Sequence, residues 1–314
     1  MANSCGNSVC PFCNMGIIPV YRMGGYDICQ CGSCGTGQVY PMPSMDQLQK
    51  FYDGFMFNAD IRNLSRILKS APKLFSQIGL TKTGSLKMLD VGGGGGFYAK
   101  AFETLGYGES TYVDLDKEAC AFAKSQVGLK NIINKDAALL DLHNYKFDFI
   151  MCRHLIEHLT KPTEFIMRLT GMLTVGGVLI LICPNGDSLE YFAYPNSNLK
   201  IRIQKIASAS NLPRIKVIAK LLSGEMLHGI DPPRHLWAVS RKGMQKFLAD
   251  RHVHADIITF PLTDPIYSPY YTSKTLAQKV CSFLGGKVTS KIFGGTHLLT
   301  VIRNSRKSEH EHNT

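Results

Sequence analysis

The sequence predicts an α/β protein: a parallel sheet wound with helices, preceded by a small cysteine-bound module and interrupted by a helical insert. Three observations carry this. From Leu86 onward, short β-rich apolar runs alternate with helical periodicity, the pattern of a parallel sheet covered on both faces. The first of those runs ends in five consecutive glycines, Gly92 to Gly96. Six of the ten cysteines lie within the first 34 residues.

In chain order, the cysteine module comes first. Cys10-Pro-Phe-Cys13 and Cys31-Gly-Ser-Cys34 make a C-x2-C-x17-C-x2-C pattern, within the spacing of a four-cysteine zinc site. Each pair forms a tight knuckle, and four thiolates leave no open position, so the expected Zn2+ is structural. Residues 1–43 cannot bury enough apolar surface to fold alone, and the metal would supply the missing stability. Cys5 and Cys29 are surplus, and Cys29-x-Cys31 competes with Cys31-x2-Cys34 as a chelating pair. Free reduced thiols are the bland alternative. A secreted disulfide framework is disfavoured, because such chains are short and carry a leader, whereas this one opens Met-Ala-Asn-Ser-Cys-Gly. The expectation is a cytoplasmic protein, with the inner face of the membrane as an alternative location. Hydrophobic residues make up 45% of the 314, enough for a core, and no apolar run approaches the roughly 18 residues of a membrane span.

A helical linker follows over 44–85, with Leu48, Phe51, Tyr52, Ile61, Leu64, Ile67 and Leu68 at helix spacing. The main domain is expected over 86–304. Its candidate strands are Lys87–Val91, Ser110–Val113, Asn131–Asn134, Phe147–Met151 and Val178–Ile182. Sheets of this kind bind ligands beyond the carboxyl ends of their strands. At the first of these ends, Asp90-x-Gly92-x-Gly94-x-Gly96 lets a backbone approach a ligand closely. A dinucleotide fingerprint can be forced onto Gly94, Gly96 and Ala99, but that register leaves Asp90 near a pyrophosphate. A cationic sulfonium cofactor without phosphate suits the acid better. Asp114 ends the second strand, where a carboxylate accepts both ribose hydroxyls. Asp116 reads as a helix N-cap. Asp136-Ala137 follows the third strand, within reach of an adenine.

With MLDVGGGGG, YVDLD, KDA, FDFIMCRHLIEHL and LTVGGVLILICPN in this order, residues 86–185 resemble the class I S-adenosylmethionine-dependent methyltransferases. The resemblance implies a Rossmann-like seven-stranded sheet with late strands near Ala255–Phe260 and Leu298–Arg303, the second antiparallel. It implies S-adenosyl-L-methionine as cofactor, with Asp90, Gly92, Gly94 and Gly96 as the loop, Asp114 as the ribose acid, and Asp136 and Ala137 beside the adenine. The family more often varies one of these glycines, so the all-glycine version implies a more mobile loop.

After the fourth strand, His154-x-x-Glu157-His158 falls over the expected active-site mouth, its three residues on one face of a helix. His235 lies far downstream, beside the single tryptophan, Trp237. Similar segments with a late histidine occur in methyltransferases of quinone biosynthesis and of small-RNA 2′-O-methylation, some of which hold a divalent cation there. His154 stands where those carry a glutamate, so structural, general-base and second-cation roles all stay open. The stretch DPPRHLWAVSRKGMQKFL also resembles bacterial methyltransferases that combine this fold with a zinc ribbon, many placed in cell-surface glycan or secondary-metabolite pathways.

The helical insert is expected at about 188–232, over the substrate site. It carries six basic residues and no acid between Asn196 and Gly224, with Pro213 starting a helix whose apolar side is Ile215, Ile218, Leu221 and Leu222. A lid, an interfacial helix on an anionic membrane and an RNA-contacting patch are the three readings. A disordered tail is expected at 305–314. The net charge of +11 points to an anionic partner without naming it. The reaction expected is methyl transfer to a small-molecule or glycan/lipid-precursor acceptor. RNA methylation, and a non-catalytic cofactor-binding scaffold, are the alternatives.

Overall fold

The computed structural model describes residues 5, 8–53, 57–139, 144–188, 197–223, 225–227, 229–262, 264–269 and 294–305. The expected disordered tail falls outside these residues apart from Ser305, as do 189–196 of the insert.

Two sheets organise the chain. The first three strands, β1 (Ile17–Met23), β2 (Tyr26–Cys31) and β3 (Gly37–Tyr40), form an antiparallel meander. Helices α1 (Met45–Asp53) and α2 (Arg62–Gln77) lead into the main sheet. There β4 (Leu86–Val91), β5 (Gly108–Asp114), β6 (Ile132–Asn134), β7 (Phe147–Arg153) and β8 (Leu173–Pro184) are followed later by β10 (Ala255–Phe260) and β11 (His297–Arg303). Their spatial order is β10-β11-β8-β7-β4-β5-β6, with only β11 antiparallel to its neighbours. Connections run outward in both directions from β4 and β7, so the crevice beyond their carboxyl ends is the place for a ligand.

Alternation along the strands explains why both faces are covered. Met88, Tyr112, Phe149, Met151 and Ile180 face a core built with α2 and with α3 (Phe97–Thr104). Their neighbours Leu89, Val113, Ile150, Cys152, Leu179 and Leu181 face the opposite core, with α5 (Pro162–Gly171) and α8 (Arg241–Ala249). A period of two sends successive side chains to opposite faces, and here both faces are apolar.

The cysteine module is not a free-standing bead. Its sheet is completed by β9 (Trp237–Ala238), which pairs antiparallel with β3. Phe12, fully buried between the cysteines, packs edge-on against Trp237 at 6.1 Å and Phe247 at 5.8 Å. Ser240 donates from its hydroxyl to the Cys34 carbonyl at 2.6 Å. Gly37 lets Leu227 pack close: a Cβ there would sit 1.9 Å from the end of the Leu227 side chain and force it to shift. The 1–43 module and the main domain therefore share one continuous core.

The structure changes four expectations. Cys5 and Cys29 are joined as a disulfide that ties the start of the chain to β2, which removes Cys29 from competition for the metal site. The His154–His158 segment is not a helix. β7 ends at Arg153, His154 adopts a left-handed backbone (φ 50°), and a single 3₁₀ turn spans Ile156–His158. The described insert, α6 (Ser197–Ser210) and α7 (Arg214–Leu222), packs its α6 against β1 of the cysteine module, a contact that none of the three readings of the insert included. Finally, α7 buries Val217 and Leu221, whereas Ile215 and Leu222 of the expected apolar side face solvent.

Candidate active site

The glycine loop is built by sterics. Gly92, Gly94 and Gly96 have φ of 64°, 55° and 69°, a region costly for residues with a Cβ. A Cβ on Gly93 would come within 2.7 Å of the Asp90 carboxylate, and one on Gly95 within 2.6 Å of the Phe97 ring. All five glycines thus have a reason, and the loop is fastened: Tyr112 donates from its hydroxyl to the Gly94 carbonyl at 2.6 Å. The Gly94 N–H donates to Asp114 Oδ2 at 3.0 Å, and the Gly92 N–H to the Val113 carbonyl at 2.8 Å. The mobility expected of an all-glycine loop is opposed by these bonds.

Asp114 sits at the end of β5, as the sequence placed it. Its other oxygen accepts the Asp116 N–H at 3.0 Å, so each oxygen keeps acceptor capacity for a ligand hydroxyl. Burial raises its pKa, and burial pushes that of Asp90 up to about 7 while the Ala99 N–H opposes it. Two desolvated carboxyls beside a bare backbone loop fit a ligand that brings a ribose diol and positive charge. Asp116 caps α4 (Lys117–Phe122) through the Glu118 and Ala119 amides at 2.7 and 3.2 Å. Asp136 and Ala137 begin the turn after β6, where Asp136 accepts the Ala138 N–H at 2.8 Å.

Beyond β7, Glu157, His158 and His235 converge, their ligand atoms within 4.8 Å of one another. His154 does not join them on a shared helical face. It turns toward His297, with ring centroids 5.1 Å apart, and brings Nδ1 to 3.3 Å from Glu157 Oε1 without hydrogen-bond alignment. Glu157 is buried, and neither carboxylate oxygen has a hydrogen-bond partner among the described residues. Burial raises its pKa, while the neighbouring imidazoles His158 and His235 pull it down. His158 Nδ1 lies 2.8 Å from the Arg234 carbonyl, and His235 Nδ1 lies 2.7 Å from the Gly229 carbonyl. A carbonyl can only accept, so both rings carry the proton on Nδ1 and keep the Nε2 lone pair. Metal-ligating histidines are oriented in this way. Burial lowers the pKa of His158, and that of His235 to about 4, which keeps both neutral near pH 7. An orphaned buried carboxylate with two pre-oriented imidazoles fits a divalent cation.

The turn and His235 are held by the cysteine module's sheet. The Leu236 N–H donates to the Glu157 carbonyl at 2.7 Å, and the Trp237 indole to the Leu159 carbonyl at 2.7 Å. Leu155 packs against Gly92, placing the turn beside the glycine loop.

In the module itself, Cys10, Cys13, Cys31 and Cys34 converge as expected, with Cys10–Cys34 and Cys13–Cys31 sulfurs 3.6 and 3.4 Å apart. A tetrahedral zinc with Zn–S bonds of ~2.3 Å spaces its sulfurs by about 3.8 Å. The set fits that ion.

Three residues near the site escaped the sequence reading. Tyr52 of α1 brings its hydroxyl to 3.0 Å from His158 Nδ1. Arg153 donates to the Tyr98 hydroxyl at 2.6 Å and lies over its ring. His297, at the start of the antiparallel strand β11, stacks on Phe260. An isolated histidine opening an apolar strand was the one available signal.

Residues 89–181 match a family described as "Methyltransferase domain", so the chain carries a methyltransferase domain over that stretch. Among curated proteins, it is similar to the ubiquinone biosynthesis O-methyltransferase of Psychrobacter arcticus, 29% identical over 125 residues, covering 37% of this chain and 48% of that one. It is also similar to the mitochondrial ubiquinone biosynthesis O-methyltransferase of Saccharomyces cerevisiae, 28% identical over 119 residues, covering 36% and 38%. The matched segment thus spans less than half the length of either relative. Solved structures that resemble it include an S-adenosylmethionine-dependent methyltransferase from Clostridium acetobutylicum (TM-score 0.46, 14% identity, covering 82% of this chain and 98% of that one). Another is a methyltransferase of the same dependence from Archaeoglobus fulgidus (TM-score 0.45, 19% identity, covering 76% and 94%).

Proposed function

We propose that the protein transfers the methyl group of S-adenosylmethionine to a hydroxyl of a small-molecule acceptor. The observation that carries this reading is the Glu157–His158–His235 set beside the glycine loop, with an orphaned carboxylate and two Nδ1-protonated imidazoles. The names of the curated relatives, both O-methyltransferases, support an oxygen acceptor.

S-adenosylmethionine, when bound, supplies the methyl group as a sulfonium electrophile. Asp114 would accept the ribose hydroxyls, and the loop from Gly92 to Gly96 with Asp136 and Ala137 would hold the rest of the cofactor. A divalent cation held by Glu157, His158 and His235 would supply Lewis acidity to the acceptor oxygen. His154, whose pKa burial and then the Arg153 charge lower to about 3, stays neutral near pH 7 and would offer an imidazole lone pair to the acceptor's hydroxyl proton. Zinc in the four-cysteine set contributes structure only, since four sulfurs leave no open position.

Labelled methyl groups from S-adenosylmethionine should enter an acceptor in fractionated cell extract, and a divalent chelator should suppress the transfer. Glu157→Gln should lower the rate about 100-fold or more while cofactor affinity stays unchanged by calorimetry. Full activity in Glu157→Gln, or label recovered only in RNA, would overturn this reading.

A further inference from the structure

The net positive charge of this chain can be assigned to two stretches of its sequence. Residues 197–223 carry six basic side chains and no acid, and residues 265–304 carry four lysines, Arg303 and no acid. Together they account for the whole net charge of +11, leaving the rest of the chain balanced between 24 basic and 24 acidic residues. In the described insert, α6 and α7 carry this excess on two neighbouring helices.

The residues after β8 meet those that enter β11. The Ser188 hydroxyl donates to the Gly294 carbonyl at 3.0 Å and the Asn185 amide to the Gly295 carbonyl at 2.9 Å. The base of the insert and the return into β11 are therefore joined at the carboxyl end of β8, the side of the sheet where the candidate site lies.

The described surface of the insert is also apolar. On α7, Val217 and Leu221 point into the core, and Ile215 and Leu222, seven residues apart on another side of the helix, are 72% and 52% exposed. Ile201 of α6 is 53% exposed. Lys200, Arg214 and Lys216 flank these residues and form no ion pair among the described residues, while Lys205 and Lys220 are engaged by Asp231 and Glu225.

Each kind of partner makes a different demand on such a surface. A second copy would bring like charges together. Single-stranded nucleic acid favours aromatic stacking platforms, and 197–223 contains no aromatic residue. A small anion gains nothing from exposed isoleucine and leucine. An anionic bilayer uses both components, with headgroups drawing the lysines and arginines and the interface accepting the apolar side chains.

We propose that the α6–α7 surface docks on an anionic lipid bilayer. The proposal is independent of the methyltransferase reading, because it is tested by binding alone. Full-length protein should float with phosphatidylcholine–phosphatidylglycerol vesicles, stay behind with phosphatidylcholine alone, and be released by salt. The double variants Lys200→Glu/Lys216→Glu and Ile215→Glu/Leu222→Glu should each reduce partitioning at least about tenfold. Unchanged circular dichroism and cofactor affinity would show that these surface variants still fold. Equal binding to neutral and anionic vesicles, or full anionic binding by both variants, would overturn the proposal. So would tighter binding to single-stranded RNA than to vesicles, or a dimer in solution that buries α7.

Discussion

The molecule holds two sets of metal-type ligands, and they are built in opposite ways. The four cysteines come from two local knuckles. In the first, the Asn14 amide donates to the Cys10 carbonyl at 2.8 Å, and in the second the Gly35 amide donates to the Cys31 carbonyl at 2.8 Å. Three of the four cysteines are buried, and four sulfurs complete a tetrahedron. The second set draws Glu157 and His158 from a turn after β7 and His235 from a segment 77 residues further along. Three ligands leave positions open on a bound ion. The first arrangement suits a structural ion and the second a reactive one. The two are also joined: β9 extends the cysteine module's sheet, and its neighbour Leu236 is bonded to Glu157. The module is thus part of the frame that carries His235.

That contrast can be broken by experiment. The largest effect is expected from Cys34→Ser, which should remove one zinc per chain and destabilise the whole protein by more than about 5 kcal/mol. Metal analysis with denaturant unfolding checks it. Retained stability would mean that the module is dispensable to the shared core.

Asp114→Ala comes next. On the proposed reading two charge-assisted bonds to a ribose diol would be lost, so affinity for S-adenosylmethionine should fall at least about 100-fold by calorimetry, with folding intact. An unchanged affinity would put the cofactor elsewhere.

Acid titration of the metal-free protein sharpens the distinction further. His235 titrates near 4 in the fold and near 6.5 when unfolded, so the unfolded chain takes the proton first. Its stabilisation is complete above pH 6.5 and is lost as the pH falls toward 4, up to about 3 kcal/mol in all. His235→Gln should flatten that part of the stability curve, and an identical curve would mean that His235 is not held neutral. The smallest effect should come from Asp116→Ala, about 1 kcal/mol from the lost cap, with cofactor affinity preserved. A large loss of affinity there would exchange its role with that of Asp114.

Much of this was legible in the residues because it is local. β10 (Ala255–Phe260) coincides with its expected range, β11 extends its own by one residue and β5 by three. Apolar runs of period two are set by burial on both faces, so the pattern survives folding. The Asp116 cap and the four-cysteine convergence were likewise encoded within a few residues. The His154–His158 segment was misjudged for a physical reason. Its spacing permits a helix, but the end of β7 bends through a left-handed His154, and the Glu157 carbonyl is taken by Leu236 from outside the segment. On α7 the spacing allowed two apolar sides, and packing against the rest of the insert selected Val217 and Leu221.

By itself, then, the sequence determined the parallel sheet, the glycine loop with its two acids, and the cysteine knuckles. Each of these depends on neighbours within a few residues or on a repeating period. Only the tertiary structure decided that Cys5 pairs with Cys29, that His235 completes a set with Glu157 and His158 while His154 turns to His297, and that the insert packs on the cysteine module. Those outcomes join residues far apart in the chain. They are chosen by which surfaces and lone pairs meet once the sheet has formed, and no local spacing records that meeting.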